Sequence, residues 1–192
     1  MPVTIVAEDG TGLANANSYA SLADAQIYFN ARLHQTNWST AFDDDDRSRA
    51  LIMATAQIDY QVLYGGGWKG TRIKSTQALD WPRAYAPDPD PINPLLDPAY
   101  LGTINSPQYL APNAVPRTVK DATYEEALAL LIADRTTDPE GQGLTALSVG
   151  PISLTFDKGF AVQRRPLTDL VRQMLAPLMR SGGAGVARIV RT

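Results

Sequence analysis

The chain contains no cysteine and a single histidine, His34. The first absence excludes disulfides, thiolate zinc sites, iron–sulfur clusters and thiol nucleophiles, and leaves the redox compartment open. The second excludes histidine-rich metal sites and forces any Ser-His-Asp triad onto His34, which lies in "ARLHQTNW" with no G-x-S-x-G in the sequence. His34 reads as a surface or helix-end residue. No run of about 18 apolar residues is present to span a bilayer, and the start "MPVTIVAEDGTG" lacks the basic and long apolar stretches of a signal peptide. A soluble protein that is not exported by that route is expected.

Excess charge of one sign is also missing, since 17 basic against 20 acidic residues give a net −3. Such a balance argues against a protein that coats nucleic acid over its whole surface. The distribution is uneven, however. From Lys158 onward seven basic residues face the single acid Asp169, a net +6, while the rest of the chain carries ten bases and nineteen acids, a net −9. The 192 residues, 44% of them hydrophobic, suffice for one domain with a real core.

Hydrophobic spacing predicts four helices and little sheet. "VTIVAED" is β-rich and ends in "DGTG", which suggests a short N-terminal strand and a turn. Ser21 and Asp24 form a capping pattern ahead of Leu22, Ala25 and Phe29, placing a helix at about residues 21–33. A second helix runs from the aspartates at 43–46 to Tyr64, with Leu51, Ala54, Ile58 and Val62 at three- and four-residue steps. Acidic side chains at a helix N-terminus favourably meet its exposed amides and dipole. Pro116 opens a third helix through "RTVKDATYEEALALLIAD", with Val119, Ala122, Ala127, Leu130 and Leu131 inward. The last starts near Pro166, buries Leu167, Leu170, Val171, Met174, Leu175 and Leu178, and is kinked or ended by Pro177. "LTALSVGPISLTFD" reads as a hairpin or an extended arm about Gly150 and Pro151.

The stretch "GGGWKGTRIKSTQALDWPR" holds a literal G-x-G-x-x-G in Gly65, Gly67 and Gly70. A dinucleotide fingerprint needs a strand before it and a helix opening on its last glycine. Here a helix precedes Gly65 and no helical stripe follows Gly70, while Lys69 stands before Gly70 where a P-loop needs it after the glycine. The triple glycine therefore reads as a helix stop, where left-handed backbone angles cost glycine little. Nine of the fourteen prolines fall in residues 82–116, which predicts a long irregular loop. Its many apolar members imply that it lies against its own domain or a neighbouring chain. After "SGGAG", the end "VARIVRT" reads as a hinged, basic docking tail over residues 181–192.

The opening "EDGTGLANANSYASLADAQIYF", Trp38, the helix "RALIMATAQID", "GWKGTRIKSTQALDWPR" and, more weakly, "VPRTVKDATYEEALALL" together resemble a family of tailed-phage morphogenesis proteins. Its members resemble head–tail connectors (adaptors, head-completion proteins), and some are labelled DnaT-like single-stranded-DNA-binding proteins. The proline-dense insert after Arg83 is longer than that pattern. As a connector, the resemblance implies a mainly α subunit: a compact bundle of about four helices with a short β-hairpin or arm, a long proline-rich loop and an extended C-terminal tail. One domain would span residues 1–180, with 82–116 inserted and 181–192 as the tail.

The function implied is that of a structural virion protein, made in the host cytoplasm and placed at the capsid–tail neck. It would form a homo-oligomeric ring, expected as a 12-mer, between the portal protein and the next neck or tail protein, with DNA passing through without sequence-specific binding. Trp68 and Trp81 would pack the turn after the second helix and are also candidates for the subunit or portal interface. Lys69, Arg72 and Arg83 would face a neighbouring subunit or the channel, and Arg188, Ile189, Val190 and Arg191 would reach the portal. Asp43, Asp44, Asp45 and Asp46 would line the channel and repel DNA. The alternative is a single-strand binder of DnaT-like type, since "WKGTR" and "WPR" bring cations and aromatic rings within sixteen residues. In either case no catalytic residue, metal or cofactor is expected, and the protein is not read as an enzyme.

Overall fold

The computed structural model describes residues 3–39, 41–91, 108–135, 146–149, 152–155 and 167–180. In order, the elements are α1 (Leu22–Asn30), α2 (Thr36–Ser39), α3 (Asp44–Tyr64), β1 (Thr71–Arg72), β2 (Arg83–Ala84), α4 (Arg117–Ile132), β3 (Ala146–Val149), β4 (Ile152–Thr155) and α5 (Asp169–Leu175), the last continued by a 3-10 turn at Ala176–Leu178. The class is mainly α, as expected. β3 and β4 pair antiparallel as a hairpin.

Helix ends follow local chemistry. Ser21, Asp43 and Thr168 each accept a hydrogen bond from the backbone N–H three residues on, which satisfies an otherwise orphaned donor of the first turn. α1 stops at Asn30, short of the expected residue 33, and Arg32 turns back to α4. There its guanidinium donates to both carboxylate oxygens of Glu125 at 2.6 and 2.8 Å, and the Tyr28 hydroxyl donates to the same carboxylate at 2.7 Å. His34 is exposed with φ 58°, beyond the helix end. Pro116 occupies the N-cap of α4, one position ahead of the first turn.

α3 and α4 are the central pair, and two clusters of buried side chains form around them. In one, Phe29 of α1 stacks on Trp38 of α2 with ring centroids 4.3 Å apart, against Leu51, Ala54, Tyr124 and Leu128. In the other, Ile58, Val62, Val119, Val171 and Leu175 surround Trp68 and Trp81. α5 is short, so its seven residues offer α4 one face, and Leu170 is exposed rather than inward.

The expected N-terminal strand does not form; only a parallel bridge joins Ala7 to Ser18. Gly10 and Gly12, with φ of 99° and 73°, turn the chain back before a partner strand can be met. The buried Glu8 carboxylate then takes the N–H groups of Gly10, Gly12 and Leu13 at 2.8–3.0 Å, doing for this loop what a ladder would otherwise do.

Candidate nucleic-acid interface

The segment after α3 is built by glycine and tryptophan together. α3 ends at Gly65, and Gly66 and Gly67 follow with φ of 112° and 87°, so the triple glycine is a helix stop and not a phosphate loop. The chain then runs antiparallel beside the C-terminal turn. Trp68 bridges Met179, Lys69 N–H donates to the Leu178 carbonyl at 2.9 Å, and Arg180 N–H donates to the Gly67 carbonyl at 2.9 Å. Trp68 and Trp81 meet edge to face at 5.7 Å and are 2% and 0% exposed. Both pack the turn into the core, and so buried neither can serve as the subunit or portal contact expected of it or stack on a base.

Gly70 leads into β1, which pairs with β2 so that Arg72 faces Arg83 and Thr71 faces Ala84. A Cβ at Gly70 would stand 2.4 Å from the Ala84 carbonyl oxygen, and its φ of 73° disfavours any side chain. The loop between the two strands closes on buried Gln77, whose Oε1 accepts from Ile73 and Lys74 N–H at 3.0 Å and whose amide donates to the Leu79 and Pro82 carbonyls at 2.8 and 3.1 Å. The Trp81–Pro82 peptide is cis.

A second lock ties this loop to the helices. The Trp81 N–H donates to the Tyr19 hydroxyl at 3.2 Å, which donates to Asp59 of α3 at 2.5 Å, while the Asp80 N–H donates to the other Asp59 oxygen at 3.1 Å. Burial pushes the Asp59 carboxyl up to about 7, with the neighbouring Asp80 charge acting in the same direction. Burial likewise raises the Tyr19 phenol well above its usual value.

Arg83 is 8% exposed and turned inward. It donates to the carbonyls of Lys69, Gly70 and Asp80 at 2.9–3.1 Å, and desolvation lowers its pKa from the ordinary arginine value. It therefore faces neither a neighbour nor a channel; three backbone acceptors use the guanidinium fork as an internal brace. Arg72 is exposed and donates to the Gln77 carbonyl. Lys69 donates to the Pro177 carbonyl at 2.7 Å, and Arg180 to the Gly70 carbonyl at 3.3 Å. Among the described residues, no carboxylate forms a salt bridge with Lys69, Arg72 or Arg180. Three cations thus lie about Gly70 with no ion-pair partner among the described residues.

Exposed aromatic residues occur on the segment that runs past Gly70, but not the expected ones. Tyr85, immediately after β2, is 69% exposed and held at φ 57°, a left-handed conformation that a bulky residue rarely adopts. Tyr109 packs edge to face on it at 5.7 Å and is 45% exposed. The two ends of the proline-rich stretch bring the rings together through the Pro87–Tyr109 bridge, Asp88 N–H to the Gln108 carbonyl at 3.0 Å, and Leu110 N–H to the Ala86 carbonyl at 2.9 Å. Residues 92–107 of that stretch lie outside the described residues, as do Arg188, Ile189, Val190 and Arg191 of the expected tail. Residue chemistry could have pointed to Tyr85, two positions beyond Arg83, but nothing local signals that Tyr109 joins it.

The acidic run at α3 is used locally. Asp43 caps the helix, Asp44 pairs with Arg47 at 2.7 Å, Asp46 with Arg49 at 2.6 Å, and Asp45 accepts from Val3 N–H at 3.3 Å. Helix capping and pairing account for these side chains, with no channel needed to explain them.

Searches of curated proteins and of solved structures found no match. No head–tail connector family is found either, so the neck-ring reading, together with its portal and connector vocabulary, is overturned by the family match that is found. That match covers residues 3–94 and 98–192, and the chain accordingly belongs to the family described as "Putative DnaT-like ssDNA binding protein".

Proposed function

We propose that the chain binds single-stranded DNA without strong sequence preference across the Gly70 turn, and that it acts by binding and not by catalysis. Lys69, Arg72 and Arg180 take backbone phosphates, and Tyr85 and Tyr109 offer ring faces to the bases. Family membership supports the class of ligand. The observation that carries the location is an exposed tyrosine pair on the segment that follows β2, whose backbone lies against Gly70, together with three cations there that form no salt bridge among the described residues. A positively charged track with stacking platforms is what non-specific single-strand recognition requires, since every base presents a π face and every nucleotide a phosphate. The overall charge of −3 does not oppose this, because the acids of α3 are paired locally and screening confines their field to about 10 Å at ordinary salt.

The test is the affinity for a labelled thymidine oligonucleotide measured at several salt concentrations. Three phosphate contacts give a log–log salt slope of about −2, and the double variant Arg72→Ala with Arg180→Ala should reduce it to about −0.7. Equal affinity and equal slope for the double variant would refute this location.

A further inference from the structure

α3 has two apolar faces, and its neighbours cover only one. Leu51, Ala54, Ile58 and Val62 are fully buried against α4 and the tryptophans. On the opposite side Arg49, Met53, Ala56, Tyr60, Leu63 and Tyr64 are all exposed. At about 100° per residue these six positions fall within an arc of about 100°, which is the width of a buried helix stripe. Five of the six are apolar or aromatic. Tyr60, Leu63 and Tyr64 are 62%, 69% and 84% exposed, and the two tyrosine rings lie 6.2 Å apart at 32°.

We infer that this stripe is the contact between two copies of the chain, paired antiparallel through α3 about a two-fold axis near Ala56. The order of side chains is self-complementary under that operation. Pairing positions whose numbers sum to about 113 sets Met53 against Tyr60 of the second copy, a thioether at an aromatic ring. It also sets Arg49 against Tyr64 of the second copy, a cation at a ring face. The smallest side chain, Ala56, falls at the crossing, where two helices approach to 8–10 Å. A two-fold contact needs one patch that fits itself, and a parallel arrangement would instead put Arg49 on Arg49 and acid on acid.

A chain without cysteine permits a clean test. Ala56→Cys should form an intermolecular disulfide under mild oxidation, because antiparallel pairing brings the two Cβ atoms together, whereas Thr118→Cys on the exposed surface of α4 should not. Sedimentation equilibrium of the unmodified protein, without DNA, up to about 100 µM should show a dimer, and Tyr60→Glu should raise its dissociation constant at least tenfold with an unchanged circular dichroism spectrum. Tyr60 is mostly exposed and belongs to neither buried cluster, so the variant can fold. Three results would overturn the inference: a monomer throughout this range, a dimer indifferent to Tyr60→Glu, or cross-linking no faster for Ala56→Cys than for Thr118→Cys. A monomer that dimerises only when residues 181–192 are removed would equally overturn it and assign the stripe to that segment.

Discussion

Asp59 connects the titration of one carboxyl to the position of the whole candidate interface. Its two oxygens receive the Tyr19 hydroxyl and the Asp80 N–H, and through Tyr19 it holds the Trp81 N–H, so this side chain adds a hydrogen-bonded tie between α3 and the loop bearing Arg72 and leading to Tyr85. The folded-state pKa is raised from 3.8 to about 7, chiefly by burial. The sign follows from proton counting. Between these values the folded chain holds a proton that the unfolded chain has released, so this group's contribution to stability is largest below about pH 4, falls as pH climbs, and is level above about pH 7. Each pH unit within the interval is worth about 1.4 kcal/mol, which makes the full span about 4 kcal/mol. Urea unfolding of the parent and of Asp59→Asn at pH 5, 6, 7 and 8 isolates the effect. The variant lacks this titration, although it places an amide donor near a backbone N–H and pays a constant penalty. The parent's advantage over the variant should therefore shrink by about 3 kcal/mol from pH 5 to pH 8. A difference that is constant across this range, or that grows with pH, would refute the assignment of a buried, proton-holding carboxyl.

The two kinds of aromatic residue at this end of the molecule should separate cleanly. Tyr85→Ala is expected to weaken oligonucleotide binding by about 1–3 kcal/mol with little change in unfolding midpoint, the loss of one stacking platform. Trp81→Ala should instead cost about 3–5 kcal/mol of stability, as expected for truncating a fully buried ring, seen as a lowered urea midpoint. Gly70→Ala forces a methyl group to within 2.4 Å of the Ala84 carbonyl at a left-handed backbone position; a destabilisation of about 3 kcal/mol and loss of DNA binding should follow together.

The helices were legible in the sequence because their signals are local. The cap at Ser21, the aspartates at 43–46, the prolines at 116 and 166 and apolar residues at three- and four-residue steps act within one turn, and they specify α1, α3, α4 and α5 to within a few positions. The glycine stop after Tyr64 was equally readable, since only backbone angles decide it. The one-turn α2 was not, because four residues carry no periodicity and are held by Trp38 stacking on Phe29. The N-terminal strand failed for the complementary reason: β-propensity proposes a strand, but a partner must exist to complete it.

The candidate interface divides along the same line. Sequence alone determined that cations and aromatic residues are concentrated between Trp68 and Tyr85, and that neither cysteine nor a histidine cluster is available for other chemistry. It could not tell which of them face solvent. Trp68, Trp81 and Arg83, the most conspicuous letters, are internal, while Arg180 and Tyr109 arrive from 110 and 39 positions beyond Gly70. Exposure of a side chain is a property of everything packed around it, and only the tertiary structure, by closing the chain on Trp68 and Asp59, turned the buried residues in and left Lys69, Arg72, Arg180, Tyr85 and Tyr109 on the outside.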